Sequence, residues 1–388
     1  MTPISVLITD DSALMRNLIG RIIENADGLV IAGKAMNGKF ALDKIPRLKP
    51  DVILLDIEMP EMNGLEFLKE RQNRGIDIPV VILSSLAKRG AQVTMDALAL
   101  GASDFIMKPS GSISQDIHVV GQQIIDTVLA YGRRYRMRTG NVPVIPKEEP
   151  APALEEPKIR LVTEKKFTPT VIPAVSPREK DFPPAIPAAS RQRTTRVELV
   201  ALGISTGGPN ALRRLFSIID PGLKVPFVIV QHMPAGFTEE FAKSLSRITQ
   251  LSVKEGAEGD ALLPGHVYIA PGHSHVTVKK MRDSATLHLS DAEPMNGHRP
   301  SADVLFSSVA REYGKNCIGV IMTGMGRDGA RHMGTLYNMG AITIGQNEDS
   351  SVVYGMPKVA YEHGYIEYQL SIEGIADKLN TLVREYAI

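Results

Sequence analysis

The sequence predicts two α/β domains joined by a proline-rich connector, on three observations. Short apolar runs alternate with helical periodicities through residues 1–130, and the same alternation resumes from Arg196. Between them, eleven prolines are interleaved with Lys, Arg and Glu, and no apolar period survives from Arg133 to Thr195. In both halves, the polar residues able to carry chemistry stand where an apolar run ends.

A chain of 388 residues is longer than one ordinary domain, and 43% hydrophobic residues supply ample core. The formal net charge of +1 gives no bias toward nucleic acid or an anionic membrane. Cys317, the lone cysteine, lies in an apolar run and reads as a small core residue. No basic stretch followed by a long apolar one opens the sequence, and no uncharged run is long enough to cross a bilayer. The expectation is a soluble, cytoplasmic protein, not membrane-inserted.

In the first domain the runs Ile4 to Ile8, Leu29 to Ala32, Val52 to Leu55, Val80 to Leu83 and Asp104 to Ile106 read as strands, with helical patterns such as Leu14-Leu18-Ile22 between them. Five βα units predict a parallel sheet covered on both faces, with ligands gathering outside the carboxyl ends of the strands. Asp10 and Asp11, Asp56, Ser84 and Lys108 all fall there. Three carboxylates on one rim repel one another unless a cation sits among them, and Mg²⁺ prefers such oxygens. Lys108 can hold an anion against that metal and Ser84 can donate to it, which suits a phosphoryl group on Asp56. Asp11 also reads as a simple helix cap.

The segment 131–195 reads as a linker, semi-extended and disordered. As a flexible coil its roughly 60 residues span on the order of 45 Å. Such a tether raises effective concentration without fixing geometry, so any docking surface must belong to the domains.

In the second domain, residues 196–388, a strand Val197 to Ile204 leads into Ser205-Thr206-Gly207-Gly208-Pro209. A second, Pro226 to Val230, ends in Gln231-His232, and the apolar run Cys317 to Met322 enters Thr323-Gly324-Met325-Gly326-Arg327-Asp328-Gly329. Shorter strands fall around Val267 to Ala270, Val276 to Val278 and Thr286 to Leu289. A serine on a glycine-bounded turn between strand and helix can present its hydroxyl; equally, Ser205 and Thr206 can cap the helix that follows. His232 can be a satisfied core histidine, and Asp328 an N-cap. Together the three make a nucleophile, a base and an orienting acid, with amides of Thr206-Gly207-Gly208 or Gly324-Met325-Gly326 able to hold an oxyanion.

Other readings of the serine turn fit less well. The dinucleotide fingerprint requires glycine where Ser205 stands, and the second strand lacks a terminal acid for ribose. The Gly-x-Ser-x-Gly elbow of α/β-hydrolases goes with an acid that precedes the histidine, whereas here the order is Ser, His, Asp. No helix-turn-helix or basic stripe supports a DNA-binding output.

Asp10-Asp11, Leu-Leu-Asp56-Ile-Glu-Met-Pro, Met62-Asn63-Gly64, Ser84, Phe105 and Lys108-Pro109 resemble the receiver domain of bacterial response regulators. That resemblance implies a flavodoxin-like (βα)5 domain in which Asp56 accepts phosphate from a chemotaxis-type histidine kinase. It further implies that Asp10, Asp11, Asp56 and the Glu58 backbone carbonyl hold Mg²⁺, and that Ser84, Phe105 and Lys108 form the switch.

Gly203-Ile-Ser-Thr-Gly-Gly-Pro209, Gln231-His-Met-Pro-Ala-Gly-Phe237, Leu263 to Pro271, Gly297-His-Arg-Pro-Ser-Ala-Asp303, Thr323-Gly-Met-Gly-Arg-Asp-Gly329, Gly345 to Glu348 and Val353 to Pro357 resemble the chemotaxis protein-glutamate methylesterases, the CheB family. The implied fold is a doubly wound, mostly parallel-sheet, Rossmann-like methylesterase domain. The implied roles are Ser205 nucleophile, His232 base and Asp328 orienting acid, with the Met325 amide, beside that of Thr206, in the oxyanion hole. The implied reaction is hydrolysis of γ-glutamyl methyl esters on chemoreceptors, with glutamine deamidation in many members and no cofactor for the esterase. Ile204 stands where the family usually has alanine, and the linker is longer than is common. A regulator of a non-chemotactic array, or one whose output domain only binds, are the alternatives.

Overall fold

The computed structural model describes residues 2–85, 88–108, 116–141, 182–187, 190–192, 194 and 196–386. The N-terminal domain runs β1 (Ile4–Thr9), α1 (Ala13–Glu24), β2 (Leu29–Ala35), α2 (Gly38–Leu48), β3 (Val52–Asp56), α3 (Gly64–Asn73), β4 (Val80–Ser84), α4 (Lys88–Ala99), β5 (Asp104–Met107) and α5 (Asp116–Thr139). Its five strands form one parallel sheet in the order β2-β1-β3-β4-β5. Strands β3 and β4 are buried at every position, as expected of strands covered by helices on both faces. The order reverses between β1 and β3, so Asp10 and Asp56 leave the sheet side by side at its switch point.

Helix α5 continues through the first residues of the expected linker and is tied down there. The Arg136 guanidinium pairs with the buried Asp51 carboxylate and donates to the Thr2 and Pro3 carbonyls. Residues 142–181, the bulk of the expected disordered linker, lie outside the described residues. Its far end is held by the second domain. The Pro184 carbonyl accepts from Asn338, Phe182 lies against His363, and the Arg191 guanidinium sits 3.7 Å over the Tyr337 ring while donating to the Ala341 carbonyl.

The C-terminal domain runs β6 (Leu199–Ile204), α6 (Gly208–Phe216), β7 (Phe227–Gln231), α7 (Phe237–Ser246), β8 (Ser252–Glu255), β9 (His266–Ile269), β10 (His275–Lys280), β11 (Ala285–Ser290), α8 (Ala302–Tyr313), β12 (Cys317–Ile321), α9 (Ala330–Asn338), β13 (Ile342–Gln346), α10 (Met356–Glu362), β14 (Tyr368–Leu370) and α11 (Ile372–Tyr386). Seven strands form a parallel sheet in the order β14-β13-β12-β6-β7-β9-β8, and β10 pairs with β11 as a separate antiparallel hairpin. Two of these strands escape a reading by apolar runs: β8 is a half-exposed edge of Ser, Val, Lys and Glu, and β14 is three residues long. Strands β12, β6 and β7 are neighbours at the centre, so the loops that leave them converge. Ile204 is wholly buried, its bulk absorbed into the core below the serine turn. Cys317 is buried too, its thiol pushed up to about 12 chiefly by burial, which leaves it an inert core residue.

Candidate active site

Ser205 leaves β6 with its amide bonded to the Thr323 carbonyl, and its own carbonyl accepts the Gly208 amide. The turn between needs a left-handed residue, which Gly207 supplies at φ +77°. Gln231, the last residue of β7, reaches across to donate to the Ser205 and His232 carbonyls, locking the two loops together. His232 then places Nδ1 3.1 Å from Ser205 Oγ and Nε2 2.8 Å from Asp328 Oδ2. An imidazole bonded in this way can take the hydroxyl proton through one nitrogen while the carboxylate steadies the other.

Asp328 is not the N-cap of α9, a place taken by Gly329. Its carboxylate instead sits at the start of α8, where Oδ2 accepts the Ala302 amide at 2.6 Å and Oδ1 accepts the Ser301 hydroxyl at 2.6 Å. The positive end of α8 therefore faces the acid. Burial alone pushes this carboxyl up, but hydrogen bonds from His232, Ser301 and Asn296 outweigh it and hold Asp328 well below the usual carboxylate range. It stays ionised at any working pH. The His298 ring lies flat on His232, centroids 3.9 Å apart, and its own pKa is driven down to about 4 by burial and then by the His232 charge.

Among the described residues, neither the Thr206 nor the Met325 amide donates to another protein group. The loop carrying Met325 is held against the serine turn by the Thr323 hydroxyl, which donates to the Thr206 carbonyl and accepts the Val353 amide. Gly324 allows that approach, since a Cβ there would stand 2.8 Å from Ser205 Cβ.

At the other sheet, the carboxylate oxygens of Asp10, Asp11 and Asp56 lie within 4.8 Å of one another. Lys108 bridges two of them, 2.9 Å from Asp10 and 2.7 Å from Asp56. Burial raises the Asp56 carboxyl more than Lys108 lowers it, so this site remains short of positive charge. A set of hard oxygens in that condition fits a divalent cation such as Mg²⁺. The Glu58 amide reaches Asp56 Oδ1 at 3.4 Å, which brings its backbone to the same rim. The Ser84 hydroxyl is bonded to Thr94 on α4.

Comparison with known proteins finds relatives of both domains. The CheB methylesterase family model matches residues 200–379, and that of the response regulator receiver domain matches residues 6–117. The protein-glutamate methylesterase/protein-glutamine glutaminase of Treponema denticola is 50% identical over the whole of both chains. That of Treponema pallidum is 49% identical, covering 99% of this chain and 98% of its own. The chain belongs to the CheB family. A crystal structure of the Thermotoga maritima CheB methylesterase catalytic domain is 36% identical, covers 48% of this chain and 98% of its own, and has a TM-score of 0.47.

In this CheB chain the receiver lies directly against the methylesterase domain through the start of β5. Asp104 Oδ2 accepts the Gly207 amide at 2.8 Å, and the Phe105 ring stacks on Phe237 with centroids 5.1 Å apart. Asn210 donates to the Ala102 and Ser103 carbonyls, and Arg134 on α5 donates to the Asp349 and Ser351 carbonyls. Phe105, expected from sequence as part of the switch, is thus buried in the interface rather than pointing at solvent. The sequence reading placed Asp104 only as the start of a strand and gave Asn296 no role. An acid opening a strand carries no signal, and the Asn-Gly pair at 296–297 signals only a turn. Among the described residues no helix is long and apolar enough to cross a membrane.

Proposed function

We propose that this chain is a phosphorylation-regulated serine esterase of the cytoplasm, hydrolysing γ-glutamyl methyl esters on chemoreceptors with release of methanol and deamidating receptor glutamines at the same site. The observation that carries the reading is the continuous hydrogen-bonded chain from Ser205 Oγ through both nitrogens of His232 to Asp328. An output domain that only binds has no need of it.

In this reading His232 Nδ1 takes the Ser205 proton as Oγ attacks the ester carbonyl, and the Asp328 carboxylate holds the imidazolium. The amides of Met325 and Thr206 receive the oxyanion, each such donor being worth roughly 3 to 4 kcal/mol in the transition state. His232 returns its proton to the leaving methoxide, and methanol departs. Water, deprotonated in turn by His232, then releases the glutamate and restores Ser205. An amide substrate follows the same course with ammonia leaving.

Asp56 is the phosphate acceptor, its donor a chemotaxis-type histidine kinase. Asp10, Asp11, Asp56 and the Glu58 carbonyl would hold Mg²⁺, which when bound neutralises phosphoryl oxygens. Lys108, just past the strand that begins at Asp104, senses the new charge. Regulation by cover is supported by the bond from Gly207 to Asp104, two residues from the nucleophile.

Methanol release from methylated receptor membranes tests the reading. Ser205→Ala should abolish it with the fold intact, and retained turnover refutes the assignment. A phosphodonor should accelerate the wild-type full chain and leave Asp56→Asn unchanged.

A further inference from the structure

The active site is closed on one side by a two-residue hairpin. Met295 and His298 exchange backbone hydrogen bonds of 3.0 and 2.9 Å, and the tip residues Asn296 and Gly297 both have positive φ, +54° and +79°. That is the type I′ turn, for which Asn-Gly is a preferred pair. Turn geometry accounts for the backbone of Asn296 but not for its side chain. Nδ2 donates to Asp328 Oδ1 at 2.9 Å and to Asp303 Oδ2 at 2.8 Å. The other oxygen of Asp303 accepts the His332 amide at 2.9 Å and lies 3.1 Å from Nδ1 of the same histidine. One neutral amide therefore stands between two buried carboxylates, with an N–H for each.

We propose that Asn296 is a positioning residue of the triad: it fixes the rotation of the Asp328 carboxylate so that Oδ2 faces His232, and couples that orientation to the Asp303–His332 pair. This rests on the reading of Ser205, His232 and Asp328 as the catalytic unit. Oδ2 is shared between His232 and the Ala302 amide, while Oδ1 is held by Ser301 and Asn296, with the Asp303 amide farther off at 3.4 Å. Ser301 approaches from the α8 side and Asn296 from the hairpin, so Asn296 is the donor that holds the carboxylate from the side away from α8.

The electrostatic consequence has a definite sign. Each donor on Oδ1 draws negative charge away from Oδ2. Without Asn296 more charge faces His232, and Asp303 is no longer separated from Asp328 by an amide. Both changes favour the imidazolium. The other titratable groups around this unit are His298, stacked on His232, His332 on Asp303, and His275, whose Nδ1 accepts the Ser301 amide. None of these three histidines hydrogen-bonds Asn296.

The test uses the full chain. Asn296→Gly keeps the positive φ without strain and deletes only the amide, whereas Asn296→Asp keeps a turn-compatible residue and replaces the donor with charge. Methanol release from methylated receptor membranes is followed across pH 5 to 9, with thermal midpoints measured alongside. For Asn296→Gly we expect kcat to fall about tenfold, the effect of one charge-assisted hydrogen bond, with KM nearly unchanged and the acid limb of kcat/KM moved to higher pH. Asn296→Asp should lower kcat further and move the limb further the same way. Wild-type kcat and pH profile in Asn296→Gly would mean that the residue serves the turn alone and would overturn the proposal. So would a lower kcat with an unmoved limb and a depressed thermal midpoint, the signature of fold damage. A Ser205→Ala control that retains wild-type turnover overturns the catalytic reading itself, which separates the two failures.

Discussion

The carboxylate of Asp104, the first residue of the receiver's fifth strand, accepts the backbone amide of Gly207 at 2.8 Å, two residues beyond Ser205. Phe105 beside it stacks on Phe237, which opens the helix that follows His232. Two consecutive receiver residues thus hold the loop behind the serine and the loop behind the histidine. Lys108, just past the end of the same strand, holds Asp56.

Asp104 makes this contact sensitive to pH. Burial pushes its carboxyl up to about 6, against the pull of hydrogen bonds from Gly207, Phe105 and Tyr131. An acid whose pKa is raised by docking takes up a proton as it docks, so docking is strongest in acid and weakens as pH rises through about 6. The full effect is at most about 3 kcal/mol. Asp104→Asn keeps an acceptor without a buried charge and should dock independently of pH. The ratio of wild-type to Asp104→Asn basal rates, which cancels the titration of the catalytic groups, should rise at least several-fold from pH 5 to 8. A flat ratio would exclude this linkage.

Phe105→Ala removes the stacked ring from the interface. Truncating a buried aromatic typically costs about 3 to 5 kcal/mol of packing, and here that loss falls mostly on the docked state. Ester hydrolysis without phosphodonor should rise toward the stimulated rate, and a phosphodonor should add little more.

Asp328→Asn reverses one partner of His232 from acceptor to potential donor. The imidazole then loses both its orientation and the charge that supports its protonated form, and kcat should fall by on the order of 10³ to 10⁴. Steady-state methanol release measures this, with circular dichroism as a check on the fold.

Chelation of divalent cations separates the two sites. EDTA should abolish stimulation by a phosphodonor while leaving basal hydrolysis unchanged, because the proposed esterase step runs through Ser205, His232, Asp328 and backbone amides without a metal. A fall in basal rate on chelation would contradict that division.

Outside the sites, Arg191→Ala should lower thermal stability by about 1 to 3 kcal/mol. The guanidinium covers the Tyr337 ring and donates to the Ala341 carbonyl, so the change removes a cation–π contact and a charge-assisted hydrogen bond together. Differential scanning calorimetry of the full chain reads this out.

The sequence made the strand ends legible because buried parallel strands are nearly continuous apolar runs and end in conspicuous polar residues. Asp10, Asp56, Ser205, His232 and Asp328 were all visible in this way. What supports them was not. Ser301 and the α8 amides hold Asp328 from a helix more than twenty residues upstream, and Gln231 reads as one more polar strand terminus. Asp104 was invisible for a different reason: its partner lies 103 residues away in another domain, and long-range contacts leave no periodicity in a single chain. The alternative reading of Asp328 as a cap of the helix that follows it does not hold, because the carboxylate turns to α8, from which side His232 and the α8 amides approach.

Strand β5 is only four residues long, with about 10 Å from Asp104 to Met107. A rod that short, hydrogen-bonded to β4 along its length, has no slack in which a displacement at Lys108 can dissipate before it reaches Gly207 and Phe237. In the proposed regulation, signal and response are then separated by a single short segment rather than by the tether. A receiver supplied as a separate polypeptide should accordingly be able to govern the esterase in trans, at concentrations high enough to replace the tether.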